Sequence, residues 1–241
     1  MDLQWSFMVR DLTRVAPRTR GRLLDVGCGV RPFEDIFTPY VDEYIGLEMG
    51  SAFAETSAAS HDRKPDLYYD GENIPFEDES FDTVMSIQVL EHTPEPQRLL
   101  GEMARVLRRD GLMVLSAPFC FRLHEEPHDY YRYSIHGLTH MCRRAGLEIV
   151  EVRSQGSLWS VIGHKVNSYL AFQVADMAAL MQSLGKLTHE SESAHSGRVL
   201  LAPAVVPAMV FISAAARVLD RLAPDETETL SHLVVARRLP R

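Results

Sequence analysis

Apolar residues along this chain alternate between two spacings. Leu23–Val26, Tyr44–Leu47, Asp66–Tyr69 and Thr83–Ile87 are short runs of strand length, each followed by turn or helix signals rather than by a two-residue hairpin. Leu99, Leu100, Met103, Val106 and Leu107 then recur on one helical face, which predicts a helix over Pro96–Arg108 ended by Arg108-Arg109-Asp110-Gly111. Leu112–Ser116 reads as a fifth strand, Leu138–Ala145 as a helix stopped by Gly146, and Leu147–Val152 as a sixth strand. Strands alternating with helices over the first 150 residues predict an α/β fold with a parallel sheet flanked by helices.

The last strand-like run, Leu233–Arg237, follows only after a long interval, and neighbouring sheet strands normally need a much shorter connection. Within that interval, 156–228, apolar residues from Leu158 through Val161, Val166, Leu170, Met177 and Met181 to Leu184 keep helical spacing, and Lys186–Arg198 is polar and loop-like. Met177 and Met181 read as core or lid packing rather than as cofactor contacts. Val199–Ala216 is uncharged and close to bilayer-spanning length, but Pro203 and Pro207 should interrupt it. The segment is therefore expected to be a lid, dimer or substrate element, with peripheral but not integral membrane association. Residues 1–20 mix Trp5, Phe7, Leu12 and Val15 with charged residues, so an amphipathic helix is expected there rather than a signal peptide. One domain, 1–241, bearing an insertion, accommodates all of this.

Composition narrows the function. The net charge is −8 and the basic residues are scattered, which argues against a nucleic-acid surface. Cys28, Cys120 and Cys142 are odd in number and lack a C-x-x-C pair, so neither a disulfide framework nor a cysteine zinc site is indicated, and a cytoplasmic setting fits.

The strongest local signal is Leu23-Leu24-Asp25-Val26-Gly27-Cys28-Gly29, an apolar strand turning through two glycines where backbone can approach a ligand. Pro32 stands where a dinucleotide fingerprint has its third glycine, so a nucleotide without a pyrophosphate suits the turn better. Glu48 follows the glycines by about twenty residues, the position from which an acid accepts ribose hydroxyls. Asp70 closes the third strand, where an acid can face an adenine amino group, and Gln88 ends the fourth.

In this order, Leu24-Asp25-Val26-Gly27-Cys28-Gly29, Gly46-Leu47-Glu48, Ile74-Pro75-Phe76, Ser80-Phe81-Asp82, Leu90-Glu91-His92 and Leu107–Leu112 resemble class I S-adenosylmethionine-dependent methyltransferases over roughly the first 150 residues. The resemblance implies a Rossmann-like seven-stranded sheet with helices on both faces and an antiparallel last strand, Leu233–Arg237, preceded by the helical insertion. It implies S-adenosyl-L-methionine as cofactor and S-adenosyl-L-homocysteine as product. Asp25, Gly27 and Gly29 would surround the methionine part, Glu48 and Met49 would hold ribose and adenine, Asp70 with Gly71 would approach the adenine, and Gln88 would face the cofactor.

Pro118–Ser134 leaves the fifth strand on the ligand side and gathers imidazoles, carboxylates and aromatics. His124 or His128 is the candidate base for a hydroxyl acceptor, with Asp129 or Glu125 orienting it, and Tyr130 and Tyr131 are candidates to stack on the acceptor. The alternative is a loop whose histidines and tyrosines only pack. His92 reads as structural, and no metal is expected, because His124, His128 and Asp129 lack a recognised ligand spacing. By fold analogy the expected reaction is O-methylation of a small natural-product or sugar-type metabolite of secondary metabolism, with C-methylation of a quinone-like lipid as runner-up. Two rivals stand outside that reading. An NAD(P)-dependent reductase is disfavoured by Pro32 and by the absence of a Tyr-x-x-x-Lys pair, and a non-catalytic cofactor-binding module would use the insertion, itself a candidate homodimer surface.

Overall fold

The computed structural model describes residues 3–50, 63–171 and 196–239. The chain divides into two compact units, Phe7–Gln155 with Leu230–Arg241, and Met1–Ser6 with Gly156–Thr229.

The larger unit is a seven-stranded sheet built from β1 (Arg22–Val26), β2 (Glu43–Met49), β3 (Leu67–Tyr69), β4 (Phe81–Ile87), β5 (Leu107–Pro118), β6 (Leu147–Gln155) and β7 (Ser231–Arg238). Their order across the sheet is β3-β2-β1-β4-β5-β7-β6. β7 runs antiparallel to both of its neighbours, and the pairs from β3 to β5 are parallel. The expected α/β class, with its antiparallel last strand, is what the chain adopts. Strand order reverses between β1 and β4, and such a switch point opens a crevice at the C-terminal ends of the strands.

Apolar side chains alternate to the two faces and build two cores. One joins Leu24, Val26 and Val84 to Leu100 and Met103 of α3 (Pro96–Val106) and to Leu138 of α4 (Ile135–Arg144). The other joins Leu23, Met85 and Val114 to Leu12 and Val15 of α1 (Leu3–Val15) and to Phe37 of α2 (Glu34–Phe37). Central parallel strands are covered on both faces, which is why β4 is buried almost without interruption. Pro96 opens α3, where its missing N–H costs nothing, and the Ser134 hydroxyl caps α4 by accepting the Gly137 N–H at 3.2 Å.

The end of α3 differs from expectation. The helix stops at Val106 and β5 begins at Leu107, so Arg108-Arg109-Asp110-Gly111 is strand, not helix terminus. Leu107 pairs with Phe81 but Leu112 with Thr83, so the extra residues bulge from the ladder, with Asp110 at φ 57°. Asp82 holds Arg108 at 2.7 Å and Glu79 holds Arg109 at 3.1 Å.

In the smaller unit, α5 spans 158–171 and α6 spans Ser196–Leu222. Asp220 of α6 accepts the Ser160 N–H at 3.1 Å and the hydroxyls of Ser157 and Ser160, which satisfies the start of α5. The Trp159 indole donates to the Ala223 carbonyl at 3.0 Å, and Asn167 donates to the Ser213 hydroxyl at 2.8 Å. Pro203 and Pro207 do not interrupt α6 as expected. Each removes one donor, and the remaining backbone bonds carry the helix through 27 residues. The predicted stripe beyond 171, with Met177 and Met181, lies outside the described residues, as does the predicted loop Lys186–Arg198 except for 196–198, which are helical and open α6 instead. Among described residues no helix is long and apolar enough to cross a membrane.

Candidate functional site

β1 ends in the turn Gly27-Cys28-Gly29, which is drawn toward β2 because the Leu47 carbonyl accepts both Gly27 N–H at 2.8 Å and Cys28 N–H at 3.2 Å. The two glycines serve different ends. Gly27 has φ 75°, and a Cβ there would meet Val89 Cγ2 at 2.3 Å, so its close approach is to the protein itself. Gly29, at φ 52°, has nothing within 4 Å of where a Cβ would stand. The open face of the turn is therefore at Gly29.

Glu48, at the end of β2, reaches that turn. One carboxylate oxygen accepts the Gly29 N–H at 2.7 Å and the other accepts the Met49 N–H at 2.8 Å. Burial raises its pKa, and the two backbone donors oppose the rise. Met49 lies under the turn after β3, where a Cβ on Gly71 would meet its sulfur at 2.6 Å. Asp70 is exposed and accepts the N–H groups of Glu72 and Asn73 at 2.8 and 2.9 Å, so in this state it caps its own turn.

Asp25 is placed differently from its neighbours. Its carboxylate is 2% exposed and accepts the Tyr44 hydroxyl, and burial pushes its pKa up to about 7. The structure brings Gly29, Glu48 and Met49 together but closes the Asp25 side chain into the core beside Tyr44. Gln88 follows β4 directly at φ 58°, a sparsely populated region for a side chain of its size. Its amide donates to the Ser116 hydroxyl at 2.9 Å, and Ser116 donates to Gln155 at 2.7 Å, so Gln88 heads a buried polar chain across β5 and β6.

The segment after β5 is a fold of its own. Asp129 is clasped by Arg132 through both oxygens, at 2.6 and 2.7 Å, and this holds its pKa down to about 2. Asp129 also accepts the His124 N–H at 3.0 Å and lies 3.3 Å from His124 Nδ1. The His124 ring stands edge-on to His92 and Phe121, with centroids 4.7 and 5.2 Å away, and burial lowers its pKa. His128 is exposed, its Nδ1 3.1 Å from the Tyr130 hydroxyl. Tyr130 donates its N–H to the Glu91 carbonyl, and the Tyr131 and Tyr133 hydroxyls donate to Pro94 and Leu90, so this segment is stitched to the turn after β4. Of the two candidate bases, only His124 has a carboxylate that orients it.

Residues 24–115 match a protein family described as a methyltransferase domain. An uncharacterized methyltransferase of Mycobacterium sp. (strain KMS) is 40% identical over 112 residues, 45% of this chain and 44% of that protein. Over that stretch the chain is similar to methyltransferases. Two solved structures share the fold of this chain. An S-adenosylmethionine dependent methyltransferase from Mesorhizobium loti has a TM-score of 0.54 at 16% identity, covering 98% of each chain. Haemonchus contortus phosphoethanolamine N-methyltransferase 2, in complex with S-adenosyl-L-methionine, has a TM-score of 0.51 at 17% identity, covering 98% of this chain and 53% of that one. The chain matches less than half the length of the curated relative named above.

Nothing in the sequence pattern marks Tyr44, whose hydroxyl donates to Asp25, or Val89, which makes Gly27 necessary. Glu91 and His92 do stand in a visible pattern, an acid beside a histidine at a strand end, with further histidines after the next strand.

Proposed function

We propose that this protein transfers a methyl group from S-adenosylmethionine to a small-molecule acceptor, with a hydroxyl oxygen as the atom methylated. The observation that carries the reading is Glu48, a half-buried carboxylate at the C-terminal end of β2, beside the open face of the Gly27–Gly29 turn at the sheet's switch point. Two acceptor oxygens on a rigid strand end suit the paired hydroxyls of a ribose, and the space at Gly29 suits a ligand pressed against backbone.

The bound cofactor supplies an activated methyl on a sulfonium, and the in-line displacement leaves a neutral thioether. The chain's own part is to align the acceptor, exclude water and take the hydroxyl proton. His124, oriented by Asp129 and kept neutral by burial, or His128, at the exposed end of the segment, receives that proton. Gln88 and Met49 complete the cofactor side. Three free cysteines fit a reducing cytoplasm, and the exposed apolar side chains of α6 fit self-association.

Calorimetric titration of the purified protein with S-adenosylhomocysteine, NADH and NADPH tests the reading. Saturable binding of S-adenosylhomocysteine alone supports it, and preference for a nicotinamide nucleotide replaces it with a reductase. Tight cofactor binding with no turnover across an acceptor screen points to a binding module instead.

A further inference from the structure

Glu91 is the last place in the sheet unit where an unpartnered carboxylate is expected. Its side chain is fully buried, and neither oxygen has a hydrogen-bond partner. Burying a carboxyl whose two oxygens have no hydrogen-bond partner is costly whether it is neutral or ionised, and such a group is a candidate ligand.

What faces it is specific. Glu91, His92 and His124 each offer a ligand atom, and these atoms lie within 4.8 Å of one another. His92 Nε2 is 3.8 Å from Glu91 Oε1 and 3.9 Å from Glu125 Oε2. Both imidazoles are already tied at their other nitrogen. His92 Nδ1 lies 2.7 Å from the His128 carbonyl, which can only accept, so the proton is on Nδ1 and Nε2 keeps its lone pair. His124 Nδ1 faces the Arg122 carbonyl at 3.2 Å and Asp129 at 3.3 Å, two further acceptors, with the same consequence. A histidine whose far nitrogen donates to a carbonyl or carboxylate is the arrangement that orients metal-binding imidazoles.

We propose that Glu91, His92 and His124 bind a divalent transition-metal ion of the zinc, cobalt or manganese class, with Glu125 at its rim. Two imidazoles and a carboxylate favour these ions over magnesium or calcium, which prefer oxygen donors throughout. Bond lengths of about 2.0–2.2 Å put tetrahedral donors roughly 3.3–3.6 Å apart, so the ligand atoms, within 4.8 Å of one another, must draw together by about 1 Å through side-chain rotation. Three protein ligands leave positions open, and the site lies where β4 ends and the segment after β5 begins. In the methyl-transfer reading, on which only this role rests, the ion would hold an oxygen of the acceptor, and the hydroxyl proton would pass to His128, since His124 is a ligand.

Cobalt(II) titration of the full chain, dialysed first against chelator, reads the site without any turnover. The expected result is a saturable visible d–d absorption at one ion per chain, lost in Glu91→Gln and in His124→Asn, with circular dichroism showing both variants folded. His124→Asn lies in a surface segment and stands as the second variant should Glu91→Gln unfold. Absence of saturable cobalt binding, or binding unchanged in folded His124→Asn, overturns the proposal. S-adenosylhomocysteine titration of the same samples keeps failure of the metal site distinct from failure of the methyltransferase reading.

Discussion

The Glu48 carboxylate and the Gly29 N–H meet at 2.7 Å, joining the end of β2 to the turn after β1. One acid thus shapes the turn and presents itself beside the turn's open face. Glu48→Ala is expected to weaken S-adenosylhomocysteine binding about 10- to 100-fold, the loss for charge-assisted hydrogen bonds of about 1.5–3 kcal/mol. Calorimetry checks this, and unchanged affinity removes Glu48 from the site.

Gly27 and Gly29 separate packing from binding. Gly27→Ala drives a methyl into Val89 and strains a left-handed backbone, so a lowered melting temperature and a loss of at least about 1–3 kcal/mol are expected. Val89→Ala should recover part of that loss in the double variant. Gly29→Ala meets no neighbour and should reduce cofactor affinity more than stability.

Much of the scaffold was legible because parallel strands covered on both faces must be apolar and helices must show one apolar stripe. β1, β2, β4 and α3 announce themselves by those rules. The bulge at Arg108–Gly111 was not legible, because a basic cluster before glycine also ends helices, and only the grip of Glu79 and Asp82 distinguishes the two. At the site, Glu48 and the glycine turn follow from chain order, whereas Asp25 looked equally available. Its closure depends on Tyr44, nineteen residues away and within reach of it only once β1 and β2 pair.

Asp25 and His232 pull stability in opposite directions over one pH range. Burial raises the folded pKa of Asp25 to about 7, so between its unfolded value near 4 and pH 7 the folded state holds the extra proton and stability falls as pH rises. Burial lowers His232 to about 4, so between pH 4 and about 6.5 the unfolded state holds the extra proton and stability rises with pH. Asp25→Asn should therefore steepen the gain in denaturation midpoint from pH 4.5 to 6.5, and His232→Phe should flatten or reverse it. Parallel pH profiles in all three proteins would show that neither group carries the linkage.

Asp129 anchors the segment after β5 through Arg132 and the His124 backbone. Asp129→Asn should cost about 1.5–3 kcal/mol, the worth of hydrogen bonds to a charged group, and hydrogen exchange should rise first across 121–132. Protection unchanged in that stretch would show the segment to be held from elsewhere.

His124→Ala and His128→Ala separate a base from a ligand, since a loss in His124→Ala that comes with loss of cobalt binding marks His124 as a ligand. Once an acceptor is found, loss of a general base should lower kcat about 100-fold or more with little change in cofactor affinity. Full rate in both variants excludes both histidines.

The antiparallel β7 sits between β5 and β6, yet the whole stretch 156–229 separates it from β6 in the chain. On the ribosome β5 and β6 emerge long before the strand that joins them, each with a bare edge of backbone donors and acceptors. Such edges recruit other strands, so until Ser231–Arg238 is made the nascent sheet is exposed to aggregation.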